Sequence, residues 1–108
     1  MNAKTLSLLC LSTFASQASA SSEEAWAALD QAALHSCLQA SGLLNPKPVG
    51  NVAQFPDQVG YMALLLRGQY PQKHMQGQSG IELCLYQPQT RNATVSGWDS
   101  IDPSLKRQ

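Results

Sequence analysis

The first twenty residues decide how much chain is left to fold. Met1–Ala20 has the order of an export leader. Lys4 sits beside the amino terminus, an uncharged run follows through Leu6, Leu8, Leu9, Cys10, Leu11 and Phe14, and Ala18-Ser19-Ala20 supplies the small-residue pattern at which such segments are cut. Removal leaves Ser21–Gln108, enough for one domain with a thin core. A domain of that size needs a further tie to stand clear of the stability threshold. The same reading places the mature chain in an oxidising compartment, periplasmic or extracellular.

Cys10 departs with the leader, so of the 3 cysteines Cys37 and Cys84 remain. An even count in an exported chain reads as a disulfide. Closing so long a loop is worth roughly 4 kcal/mol in the chain-entropy model, against a net stability of about 5–10 kcal/mol for such a domain. The competing reading is a reactive thiol at Cys37 beside His35, but residues two apart on a helix point in different directions. A lipid anchor on Cys10 would need a small residue just before it, where Leu9 stands.

The precursor carries 7 basic and 7 acidic side chains, and loss of Lys4 leaves a slight acidic excess. Nucleic acid demands a clustered basic surface, which is absent. No polybasic patch or sufficiently long apolar run offers stable membrane insertion. The partners expected are a protein or a small polar ligand, with homo-oligomerisation open and no cofactor implied.

Ser21–Ser41 reads as one amphipathic helix. Ser21 and Glu24 have capping-box spacing, and Glu23 and Glu24 suit the positive end of the helix dipole. Trp26, Leu29, Ala33 and Cys37 recur at steps of three and four, widened by Leu34 and Leu38 into a core-facing stripe. Gly42 can end the helix in the left-handed conformation, and Pro46 forbids a restart. Beyond Pro48 the pattern is of strands: Val49–Phe55, Val59–Gln69, Ile81–Gln87 and Ala93–Trp98, with turns at Pro56-Asp57 and Pro88–Asn92. Leu64, Leu65 and Leu66 alone would also suit a helix, but Gly60 and Gly68 and the short length favour a strand. Short links make neighbours antiparallel. The expected fold is α+β: an N-terminal amphipathic helix packed on a small antiparallel sheet of three or four strands, a two-layer sandwich. The domain spans 21–98, and 99–108 reads as a loose tail.

One conflict is visible in the third strand. If Cys84 bonds to Cys37 it faces the helix together with Glu82 and Tyr86, and alternation sends Ile81, Leu83 and Leu85 to the far side. Each such side chain gains roughly 1.5–3 kcal/mol on full burial. Either the far face is therefore covered by the tail, a second copy or a ligand, or the helix end reaches around the sheet edge and the Ile81, Leu83 and Leu85 face is the true core. The sequence leaves open which face packs on the helix.

No motif specifies a reaction. His74 and Met75 are adjacent and carry copper-type donors, yet two neighbouring donors make half a site. No Gly-Xaa-Ser-Xaa-Gly elbow exists, and Asp57, Glu82, Asp99 and Asp102 are scattered. Glu82 reads as an edge-strand charge. Gln69–Gly80 is longer than a hairpin needs and holds Tyr70, Lys73 and His74, the candidate partner-binding residues. Asn92-Ala93-Thr94 matches a glycosylation acceptor. The expected function is a small exported, non-enzymatic binding module for an envelope protein or small polar ligand. The alternatives are a metal-handling or small hydrolytic protein using His74, and an accessory subunit completed by association through its sheet.

Overall fold

The computed structural model describes residues 17–104, with side chains from residue 22 onward. The leader expected over Met1–Ala20 lies outside them, except that the backbone of Gln17–Ala20 continues the helix past the expected cut and past the Ser21 cap. Helix α1 spans Gln17–Ala40; strands β1 (Leu44–Gln54), β2 (Met62–Gln69), β3 (Ser79–Gln87) and β4 (Asn92–Gly97) follow. They form one antiparallel sheet in the order β1-β2-β3-β4, with sequential strands adjacent. The helix lies across one face and touches all four strands. This is the α+β two-layer arrangement read from the sequence.

Alanine-rich sequence favours the helix, and its apolar stripe fixes which side is buried. Ala33 and Cys37 are fully buried, packed with Met62, Leu64, Leu66, Cys84 and Tyr86. Register explains the grouping: Met62, Leu64 and Leu66 stand opposite Tyr86, Cys84 and Glu82, and cross-strand partners share a face. The Cys37–Cys84 disulfide joins residues 47 apart in sequence, with Cα atoms 5.9 Å apart, and ties the helix to the sheet.

Several details differ from the sequence reading. Gly42 does not take a positive φ. The helix instead ends with the Ser41 N–H donating to the Cys37 carbonyl at 3.0 Å. The Ser41 hydroxyl and the Gly42 N–H then donate to the two oxygens of Glu82, at 2.6 and 3.1 Å. Glu82 therefore sits in an inner strand and fastens the helix exit; it is not an edge-strand charge. The true edge β1 starts earlier than expected, contains Pro46 and Pro48, and slips register between Leu44 and Lys47 and between Val49 and Ala53. Asn45 and Gly50, at φ 52 and 76, make those slips, and such irregularity blunts a sheet edge. Val59–Tyr61 belongs to a turn, closed by the Val59 N–H on the Pro56 carbonyl at 2.9 Å.

The tail is not loose at its start. Trp98 N–H donates to the Ile81 carbonyl at 2.8 Å, Ile81 N–H donates to Asp99 Oδ1 at 2.8 Å, and the Tyr70 hydroxyl donates to Asp99 Oδ2. Where the chain returns in this way Ile81 is fully buried. Further along β3 the far face lacks that cover: Leu83 is half-buried and Leu85 is 37% exposed.

Candidate functional site

The long connection between β2 and β3 is compact. It turns through a 3₁₀ segment, Lys73–Met75. Tyr70 N–H donates across its base to the Gln78 carbonyl at 2.9 Å, and Met75, Gln76 and Gln78 make short-range backbone bonds within it. Lys73 and His74 are exposed, Met75 is half-buried, and the Tyr70 hydroxyl is engaged by Asp99. That bond, followed by burial and by the negative charges of Asp99 and Glu82, pushes the Tyr70 pKa up from 10.0 to about 12. The phenol keeps its proton and its role is to hold the return of the chain. Among the described residues no group of three His, Cys, Asp or Glu side chains is placed to hold a metal. Asn92 and Thr94 of the glycosylation pattern are exposed.

The most developed concavity lies at the opposite end of the sheet. Trp26 and Leu29, three apart on α1, share a helix face and form one wall. Phe55, Pro56 and Tyr61 of the β1–β2 turn form the other. Met62 floors it, and Pro88 and Gln89 of the β3–β4 turn close the side. The groove encloses about 250 Å³. Trp26 is 50% exposed, Phe55 48% and Tyr61 40%. Trp26 was expected in the core stripe, but it is half exposed, and the stripe is fully buried only at Ala33 and Cys37. Gln54 Nε2 donates to Asp30 Oδ1 at 3.0 Å and holds the end of β1 against the helix beside this groove.

The charged lining group among the described residues is Asp57. Its described lining offers aromatic faces, two prolines, side-chain amides and one carboxylate. A larger hollow of about 500 Å³ on the neighbouring flank of α1 is lined by Ala25, Ala28, Ala32, Leu29, Tyr86, His35 and Arg91; it differs from the groove in that its one aromatic residue, Tyr86, belongs to the buried core. The sequence reading missed the groove because its aromatics are scattered over Trp26, Phe55 and Tyr61. The available signal was the crowding of Phe, Pro, Val and Tyr into Phe55–Tyr61, a turn where apolar side chains have little to bury against.

The disulfide, and the lack among the described residues of any helix long and apolar enough to cross a membrane, are compatible with an exported protein. No family model, curated protein or solved structure is detectably similar to this chain.

Proposed function

We propose that this protein is a small exported binding module, periplasmic in a double-membrane bacterium, which engages its partner through the groove between the start of α1 and the β1–β2 turn. The observation that carries the reading is the convergence of Trp26, Phe55 and Tyr61, each at least 40% exposed, on one concavity. A thin-cored domain gains from burying aromatics, which are worth most at interfaces when they are left out of the core. Selection of a random peptide library on the purified, disulfide-intact protein tests it. Selected peptides are expected to lose binding to Trp26→Ala and to keep it on the Lys73→Ala/His74→Ala double variant. The reverse pattern would move the site to the β2–β3 connection.

A second reading, an accessory subunit that associates through its sheet, is supported by the half-covered far face at Leu83 and Leu85. Peptide or partner binding that is lost in Leu83→Glu and kept in Trp26→Ala would favour this reading, and sedimentation of the purified protein shows whether the associating partner is a second copy.

A further inference from the structure

We propose that the groove takes a basic side chain, an arginine or lysine presented by an extended segment of a protein partner; this rests on the groove being the binding site. Three aromatic side chains around one concavity attract a cation through the negative faces of their rings, and a carboxylate on the rim adds to the attraction. Trp26, Phe55 and Tyr61 supply the rings, and Asp57 supplies the carboxylate.

Further acidic groups stand near the groove. Glu23 and Glu24 lie within one helical turn of Trp26, and Asp30 is bonded to Gln54 beside the groove. Lys47 and Arg67 are cross-strand partners toward the opposite end of the sheet, and Lys73 lies in the connection beyond them. Arg91, in the β3–β4 turn, lines the neighbouring hollow and not the groove. Among the described residues no basic side chain lines the groove.

Size and margins favour a side chain on a peptide. At about 250 Å³ the groove falls below the roughly 300–1,000 Å³ of pockets that enclose cofactors and other small molecules. It suits one long side chain lying between flat walls with its backbone outside. Gln54 and Gln89 stand at the margin, and side-chain amides both donate to and accept from a peptide backbone.

The test compares fluorescein-labelled acetyl-Gly-Arg-Gly-amide with its citrulline counterpart, which keeps shape and loses charge, by polarisation on the disulfide-intact protein. The arginine peptide is expected to bind about fivefold or more tightly, and the gap is expected to close in Asp57→Asn, whose fold is checked by circular dichroism. Equal binding of the two peptides would overturn the cationic ligand while leaving the groove as a binding site. Binding that survives Trp26→Ala would overturn the groove itself. Failure of both peptides would overturn the basic-segment partner, as would displacement of the arginine peptide by tetramethylammonium at lower concentration than by unlabelled peptide, which would mark a small ammonium ligand instead.

Discussion

The phenol of Tyr70 holds the returning chain through a carboxylate, and that makes the chain's closure sensitive to strong alkali. With its pKa raised to about 12 from 10.0, Tyr70 favours the folded state wherever the phenol is protonated. The contribution is complete below pH 10 and is lost as pH rises through 12. Tyr70→Phe is expected to cost about 1 kcal/mol at neutral pH, a modest value because solvent reaches the pair. Urea unfolding of both proteins should show the difference shrinking between pH 10 and 12; a constant difference would contradict the bond. Gly80 supports the same residue. A methyl group there would stand 2.6 Å from the Tyr70 ring and 3.0 Å from Leu43, so Gly80→Ala is expected to lower stability by about 1–3 kcal/mol. Tyr70 illustrates what residue identity conceals. A tyrosine in a polar stretch suggests a partner contact, whereas its role is set by Asp99, 29 positions later, which no local pattern connects to it.

At the scale of elements, the helix is fixed to the sheet at one end twice, by the disulfide and by Glu82. Replacing Cys37 and Cys84 with alanine is expected to cost about 2–5 kcal/mol, measured by thermal or urea unfolding. Both cysteines are 0% exposed, so a reductant should act on the native protein no faster than the protein opens. The elements themselves were largely legible. Alternation marked Ile81–Gln87 as a strand, and Gly60 and Gly68 with the short length decided for a strand over a helix at Leu64–Leu66. Which face meets the helix was left open by the conflict in β3, and the structure places Cys84 and Tyr86 there. The limits of β1 were not legible, because Pro46, Asn45 and Gly50 break the period-two pattern while the strand continues through bulges. The exposure of Trp26 was not legible either. Helical periodicity reports which side a residue is on, and not whether the sheet extends far enough to cover it.

Over the whole molecule, the two layers divide the surface into unequal parts. One sheet face is packed under α1; on the other, Ile81 is fully buried beside the return at Trp98 and Asp99, and Leu85 is exposed. Leu66, fully buried, should cost about 2–5 kcal/mol as Leu66→Ala. Leu85, 37% exposed, should tolerate glutamate within about 1 kcal/mol in a monomer; a much larger loss, or loss of an oligomer, would show that the far face is covered in solution. The groove lies between the start of α1 and the β1–β2 turn. The measurement that tests its role most directly uses the protein's 2 tryptophans. Trp26 lines the groove, and Trp98 is bonded to Ile81 at the other end of the sheet, so their indole N–H resonances report two separate places. On titration with a selected peptide, the Trp26 indole signal is predicted to move to saturation while that of Trp98 stays in place. A bound peptide that leaves Trp26 unmoved, with shifts gathered at Lys73 and His74, would contradict the account.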